Sequence, residues 1–171
     1  TRSAPASAAH SSFHPGGHSA RARTSVVLRV LCGKRYGSMK IAIIGEAMFE
    51  FRGQGAASTG LQYGGDTLNT AIHIARSGCD VGYVTAVGKD KLSDALIDAW
   101  DSEGLDTSHV LRHPDRYPGI YAIHVDPAGE RSFLYWRDQS AARAMFDLPD
   151  MAAACSAVAT ADLLYFSHIS L

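Results

Sequence analysis

The chain has 171 residues, of which 16 are Lys or Arg, 17 are Asp or Glu and 46% are hydrophobic. This length allows one domain with a substantial core. Six basic residues and no acidic ones fall in residues 1–38, so residues 39–171 carry ten basic and seventeen acidic residues, a formal charge of −7. An acidic folded part argues against nucleic acid as a partner.

Residues 1–38 are rich in Ser, Ala, Gly and His and show no helical or strand period before Val26. We predict that they form a disordered or non-native N-terminal extension and that Met39 is the natural start. A transit peptide is the alternative, because such leaders are rich in Arg and Ser and poor in acids. The apolar stretch at residues 26–32 is too short to span a bilayer, so no membrane segment is predicted.

Neither a metal site nor a disulfide is predicted. Proline and glycine interrupt the spacing of the three leader histidines, so they do not align on one helix. The cysteines are odd in number and widely separated, with no CxxC pair, which favours reduced thiols in a cytoplasmic protein. Cys79 and Cys155 are expected to be small buried hydrophobic residues. The residues concerned are His10, His14, His18, Cys32, Cys79 and Cys155.

Strands and helices alternate from Met39 onward. Residues 40–45 form an apolar run that ends at glycine, which is typical of a strand buried in a parallel sheet. Apolar residues then recur at helical spacing from Leu68 to Ala75, residues 81–87 predict a strand, and a second helix ends at Gly104. This order predicts a doubly wound α/β layer with a mainly parallel sheet.

The pattern changes after residue 118. Residues 119–125 and 131–136 are strand-like and are joined by Asp126-Pro127-Ala128-Gly129-Glu130, which predicts a β-hairpin. A hairpin inserted in an α/β core can serve as a lid or as an interface. An alanine-rich helix around residues 148–159 and a buried strand at residues 162–166 complete the predicted elements.

The most informative segment is Tyr63-Gly64-Gly65-Asp66-Thr67-Leu68-Asn69-Thr70-Ala71. Adjacent glycines let the backbone approach a ligand closely, and Asp66, Thr67 and Asn69 bring polar groups to the same corner. The amides of the helix N-terminus suit a hydroxyl-rich or anionic ligand. This pattern predicts a ligand-contacting loop, with a plain helix cap as the alternative.

Several motifs together resemble the ribokinase-like (PfkB) sugar kinases, and within them the 2-keto-3-deoxygluconate kinases. The resemblance covers residues 39–171. The motifs are Gly45-Glu46-Ala47-Met48-Phe49-Glu50, residues 64–69, Val87-Gly88-Lys89-Asp90, Pro118-Gly119-Ile120-Tyr121, Gly129-Glu130-Arg131, Tyr135-Trp136-Arg137 and Ser167-His168-Ile169-Ser170-Leu171.

The resemblance implies a ribokinase-like, doubly wound, mainly parallel sheet with a small β lid, truncated after the N-terminal half. Residues 39–171 would be that substrate and lid half. The implied substrate-binding residues are Gly65, Asp66, Thr67, Leu68, Asn69, Tyr121, Tyr135, Trp136 and Arg137. An aromatic wall can pack on a sugar, and an arginine can donate to its carboxylate or hydroxyls. His168 departs from the glycine common in the family, and its imidazole could narrow the pocket or be harmless.

The resemblance also implies ATP and Mg²⁺ as cofactors of the full-length family, with the nucleotide site and catalytic aspartate in the half that follows these strands. The sequence has no Gly-Ala-Gly-Asp, no P-loop and no GxGxxG. No catalytic residue can therefore be assigned, and we expect this chain alone to bind neither cofactor and to show no kinase turnover.

Three alternatives remain open. One is another ribokinase-like kinase acting on fructose or a nucleoside. Another is a non-catalytic sugar-binding or interaction module whose hairpin pairs with a second copy, because the family lid often forms a dimer clasp. A nicotinamide-dependent dehydrogenase has only the βαβ order in its favour, since the glycine fingerprint is missing. Exposure of an apolar sheet edge also predicts poor folding of an isolated fragment.

Overall fold

The computed structural model describes residues 39–52 and 62–167. The predictions for residues 1–38 and for His168 lie outside these residues. In chain order the elements are β1 (Lys40–Ile44), β2 (Met48–Arg52), β3 (Tyr63–Gly64), α1 (Asp66–Arg76), β4 (Asp80–Val87), α2 (Lys91–Ser102), β5 (Val110–Arg112), β6 (Gly119–Val125), β7 (Arg131–Trp136), a 3₁₀ helix (Ala142–Asp147), α3 (Met151–Val158) and β8 (Leu163–Phe166).

The main sheet has the strand order β5-β4-β1-β8, and all its pairings are parallel. Side chains alternate along its strands and build a core on each face. Ile43 is fully buried with residues of α1 and α2, whereas Ile44 is buried with residues of the 3₁₀ helix and α3. The predicted doubly wound, parallel α/β architecture is therefore confirmed.

A second, smaller sheet has the order β3-β2-β6-β7. Strands β6 and β7 form the predicted antiparallel hairpin, and the Asp126 carboxylate accepts the backbone N–H groups of Ala128 and Glu130 in its turn. Strand β2 joins β6 in parallel and β3 antiparallel. The sequence patterns do not predict β2, β3 or β5, because runs of two to five residues are too short to show a period.

Strand β8 forms as predicted but is not buried. It pairs with β1, and its four apolar side chains are between 37% and 51% exposed. Among the described residues no strand pairs with its outer edge. The prediction of a buried strand rested on hydrophobicity alone, which does not show whether a neighbouring layer covers the strand.

The cysteine predictions are wrong in two respects. Cys79 is buried in the core as predicted but is disulfide-bonded rather than reduced, and Cys155 is a free, exposed thiol. Disulfide pairing depends on the distance between Cα atoms in the folded chain, which sequence spacing does not show. Cys155 is exposed because α3 buries Met151 and Ala154 instead.

Within the described ranges the chain crosses between the two sheets four times. The four connections meet in one place, which we call the seam: residues 45–47, Gly65, residues 113–118 and residues 137–141. The N–H of Ala141 donates to the carbonyl oxygen of Tyr117 across it at 2.8 Å. The seam is therefore a packed junction between separate chain segments.

Glycines make this close approach possible. A Cβ at Gly65 would lie 2.4 Å from the carbonyl oxygen of Glu46, and one at Gly119 would lie 2.9 Å from Oε1 of the same residue. Gly65 also has φ of 149°, a conformation that side-chain-bearing residues rarely adopt. These two glycines hold α1 and β6 against the connection that contains Glu46.

Asp90 caps α2. Its Oδ1 accepts the N–H groups of Leu92 and Ser93 at 3.0 Å each, and its Oδ2 accepts the Ser93 hydroxyl at 2.6 Å. Burial raises the pKa of the Asp90 carboxyl, but these hydrogen bonds outweigh burial and hold the pKa below its usual value. The cap therefore contributes stability above the unfolded pKa of about 3.9, and this contribution is lost as the pH falls through the lower folded pKa.

We expect Asp90→Ala to lower the free energy of unfolding by about 1 kcal/mol at neutral pH, because two helix N–H groups lose their acceptor. The difference from wild type should shrink as the pH falls below about 3.9 and disappear below the lower folded pKa, where the wild-type carboxyl is protonated in both states. Urea unfolding across this pH range measures it. Asp98→Ala, which removes an exposed carboxylate from the same helix, is the control. An undiminished difference at acid pH would contradict the assignment of the cap.

We expect Gly65→Ala to destabilise the fold by about 2 kcal/mol or more, because the new Cβ combines a disfavoured φ with a clash against backbone. Gly129→Ala is the matched control, since Gly129 has φ of 88° with no heavy atom within 4 Å of its Cβ position. Gly129→Ala should lower the free energy of unfolding only by the conformational penalty of a Cβ at positive φ, about 1–2 kcal/mol. Equal losses in chemical denaturation would show that the seam is not tightly packed at Gly65.

Candidate functional site

One face of the small sheet brings together residues from three strands. Glu50 of β2 is paired in register with Tyr121 of β6, which is paired with Tyr135 of β7. Paired positions share a face, so these three side chains lie side by side. The rings of Tyr121 and Tyr135 have centroids 6.1 Å apart and planes tilted by 30°. We call this surface the tyrosine face.

Glu50 organises the polar part of the tyrosine face. Its Oε2 accepts a hydrogen bond from the Tyr121 hydroxyl, and its Oε1 pairs with the Arg52 guanidinium. Burial, together with the hydrogen bond to Glu50 and the charge of that residue, raises the pKa of Tyr121. The phenol therefore stays protonated at neutral pH and acts as a donor. A Cβ at Gly64 would lie 2.3 Å from the Tyr121 hydroxyl oxygen, so only glycine leaves room for it.

An ion pair lies at the base of this face, in the seam. Nη2 of Arg137 is 2.5 Å from Oε2 of Glu46. The Glu46 side chain is 3% exposed and that of Arg137 is 18% exposed. The carboxylate is thus withdrawn from solvent, while part of the arginine side chain reaches the surface beside the tyrosines. A guanidinium here can donate to a carboxylate or hydroxyl oxygen of a ligand.

The loop predicted to contact a ligand divides into two parts. Gly65 is the N-cap of α1, so the helix has no side-chain cap at this position, and Asp66 is the first helical residue. Asp66 and Asn69 are exposed, whereas Thr67 and Leu68 are buried. A ligand outside the core can therefore reach the side chains of Asp66 and Asn69, whereas Thr67 and Leu68 are fully buried and out of its reach.

The burial of Thr67 has a specific cause. Its hydroxyl lies 3.3 Å from the Tyr83 hydroxyl, and a Cβ at Gly45 would lie 2.1 Å from Thr67 Oγ1. Thr67 therefore packs beneath the connection that follows β1. Its role in this structure is to fasten the start of α1 to the main sheet.

Trp136 is separated from the other aromatic residues of the predicted site. It pairs with Ile120, and alternation along β7 directs it to the face opposite Tyr135. Both residues of this pair line a neighbouring cleft of about 470 Å³. The cleft also contacts Tyr117, Tyr135 and Arg137, so it adjoins both the seam and the tyrosine face. The structure thus brings Gly65, Tyr121, Tyr135 and Arg137 close to one corner. Trp136 lies on the opposite face of β7.

Sequence reasoning did not include Glu46, Glu50 or Arg52 among the site residues. A signal for Glu46 was present, because an acidic residue directly after a buried parallel strand lies at the edge where such sheets bind ligands. Glu50 and Arg52 have no such signal. Their place beside Tyr121 depends on the pairing of β2 with β6, which only the structure shows.

The described residues do not fit a metal centre. Within residues 39–52 and 62–167, no three His, Cys, Asp or Glu side chains lie close enough to hold a metal ion together. In the same ranges, no helix has the length and apolar character required to cross a membrane.

Comparison with known proteins places these features in a family. Residues 38–171 match the model of the pfkB family of carbohydrate kinases. The chain is 46% identical over 138 residues to 2-dehydro-3-deoxygluconokinase of Escherichia coli K12, covering 78% of this chain and 44% of that protein. It is 44% identical over 136 residues to the enzyme of the same name from Haemophilus influenzae, covering 77% and 43%.

Solved structures agree. The crystal structure of 2-dehydro-3-deoxygluconokinase from Thermotoga maritima matches with a TM-score of 0.64 and 25% identity, covering 77% of this chain and 42% of that one. A fructokinase from Xylella fastidiosa matches with a TM-score of 0.54 and 28% identity over 62% of this chain and 34% of that one. The chain thus spans less than half the length of these relatives. It belongs to the pfkB family of carbohydrate kinases.

Proposed function

We propose that this chain is the substrate-binding half of a 2-dehydro-3-deoxygluconokinase, with 2-keto-3-deoxygluconate (the same compound as 2-dehydro-3-deoxygluconate) as its ligand. The full-length enzyme would transfer the γ-phosphoryl group of ATP to the terminal hydroxyl of this sugar acid in the cytoplasm. The observation that carries the proposal is Arg137, a partly exposed cation at the base of an aromatic face. The 44–46% identity with kinases of this name supports it.

Each group at the corner has a role in the proposal. The tyrosine rings pack on the carbon face of the sugar acid, and Arg137 receives its carboxylate. The exposed side chains of Asp66 and Asn69 bind hydroxyl groups. When bound, ATP and Mg²⁺ supply the phosphoryl group and neutralise its charge. The residues of this chain bind and orient the acceptor, so we expect binding without turnover from this chain alone.

A fructokinase-type activity is the nearest alternative within the family. A fructokinase of Salmonella typhimurium is 27% identical over 116 residues, covering 67% of this chain and 38% of that protein. Fructose carries no carboxylate, so it would leave Arg137 with only hydroxyl groups to bind. Since hydrogen bonds between charged groups are stronger than those to neutral ones, the cation favours the sugar acid.

We expect the 171-residue protein to bind 2-keto-3-deoxygluconate more tightly than fructose in isothermal titration calorimetry. Tyr135→Ala should weaken this binding about fivefold, because the sugar loses one aromatic wall. Phe51→Ala is the matched control: this aromatic residue is similarly exposed, but its register with Ala122 puts it on the opposite face.

Three outcomes of these experiments would contradict parts of the proposal. Equal weakening by both substitutions would mean that the tyrosine face is not the ligand surface. Tighter binding of fructose than of the sugar acid would favour the fructokinase reading. Phosphorylation of the sugar acid by this chain and ATP, at a rate unchanged by adding any other polypeptide, would overturn the assignment of a substrate-binding half.

One observation also favours a second candidate, a module that self-associates through the hairpin. All six residues of β7 are exposed, including four large apolar ones, and β7 is an edge strand. Such an edge can pair with the same strand of a second copy. The apolar residues are Phe133, Leu134, Tyr135 and Trp136.

We expect the protein to form a dimer in sedimentation equilibrium and Leu134→Lys to weaken it roughly tenfold, because a charge would be placed in an apolar contact. Phe146→Lys, an equivalent change at an exposed residue of the 3₁₀ helix, should leave the dimer unchanged. A dimer that survives Leu134→Lys but not Phe146→Lys would exclude the hairpin as the interface.

A further inference from the structure

Glu46 is the most deeply buried carboxylate beside the tyrosine face, and the proposed binding of the sugar acid does not use it directly. Its side chain is 3% exposed, so no bulky ligand can reach it without rearrangement. A buried carboxylate is costly unless a partner compensates its charge. It forms an ion pair with Arg137, the cation that the proposed function assigns to the ligand carboxylate.

We propose that Glu46 is a positioning residue for sugar-acid binding: it fixes the guanidinium of Arg137 in the orientation that receives the ligand carboxylate. This inference rests on the proposed function. A guanidinium has five N–H donors in a rigid planar fork, so one edge can bind Glu46 while another faces a second carboxylate. The 18% exposure of the Arg137 side chain is consistent with such a divided arrangement.

The backbone around the pair restricts its movement. A Cβ at Gly119 would lie 2.9 Å from Glu46 Oε1 and 3.1 Å from the Cβ of Arg137, so the start of β6 presses on both partners. Gly65 packs closely against the carbonyl oxygen of Glu46. An exposed arginine would sample many rotamers and lose that freedom on binding. Arg137 is instead ordered before the ligand arrives.

A purely electrostatic role for Glu46 and a positioning role predict opposite changes in ligand affinity when the charge of Glu46 is removed. Glu46 is negative and lies next to the site for an anion, so removing its charge should strengthen the binding of the anion by simple Coulomb attraction. If Glu46 acts by orienting Arg137, removing its charge should weaken binding because the guanidinium loses its fixed direction. The sign of the change therefore distinguishes the two roles.

The test is calorimetric titration of the full chain and of Glu46→Gln with 2-keto-3-deoxygluconate, and with fructose as the neutral ligand. Glutamine keeps the shape and an acceptor oxygen but not the charge. We expect the affinity for the sugar acid to fall roughly tenfold and that for fructose to stay within about twofold. Glu46→Asp keeps the charge but shortens the side chain, and it should give a smaller loss for the sugar acid.

A second readout follows the guanidinium itself. The Nε–H resonance of Arg137 in ¹⁵N NMR should exchange slowly with water in the wild-type protein and faster in Glu46→Gln. If Glu46→Gln does not fold, the same comparison is made with Glu46→Asp. Faster exchange accompanied by a selective loss of sugar-acid affinity supports the proposal.

Three outcomes would overturn it. They are tighter or unchanged binding of the sugar acid by Glu46→Gln, equal losses for the acid and the neutral sugar, and an Arg137 resonance unaffected by either substitution. Failure of the wild-type protein to bind the sugar acid would instead overturn the proposed function and the inference that rests on it. The two failures are distinguishable, because only the second is seen without any substitution.

Discussion

The ion pair between Glu46 and Arg137 connects two of the four chain segments that form the seam. Glu46 lies where the chain first leaves the main sheet for the small one, and Arg137 lies where it last returns. Their contact therefore joins two crossings separated by two-thirds of the described chain. Removing one partner of a buried pair typically costs about 3–5 kcal/mol, because the other charge remains uncompensated. The ion pair is therefore one of the contacts that connect the small sheet to the main one.

Glycines in and next to the seam complement that ion pair, because a side chain at their positions would clash with its neighbours. Gly65 and Gly119 give Glu46 its close neighbours, and Gly64 gives the Tyr121 hydroxyl its room. Because these glycines carry no side chain, the junction can pack closely and the ligand corner stays open. Stability and the candidate site are for this reason not independent in this half of the fold. A side chain added at the seam would displace the groups that the tyrosine face presents.

Much of the main layer could be predicted from the sequence, because β1 and β4 are continuous apolar runs and α1 and α2 have apolar residues at helical spacing. The site was harder. Gly65, Tyr121 and Arg137 were predicted through the family resemblance, and the structure brings them to one corner. Trp136 was predicted with them, but strand alternation directs it to the opposite face. Glu50 was not predicted, because its contact with Tyr121 arises between strands 71 residues apart in sequence. Such pairings depend on topology, which local patterns do not encode.

The pairing of β1 also has a consequence for synthesis on the ribosome. Strand β1 is central in the main sheet, but one of its neighbours, β8, is made last among the described elements. The bond between Lys40 N–H and the Asp162 carboxylate closes a loop of 122 residues. Until that segment emerges, β1 exposes an unpaired apolar edge while β4 and the helices already cover the rest. Because chains grow at about 5–20 residues per second, this edge stays open for several seconds, long enough to recruit chaperones or other nascent chains.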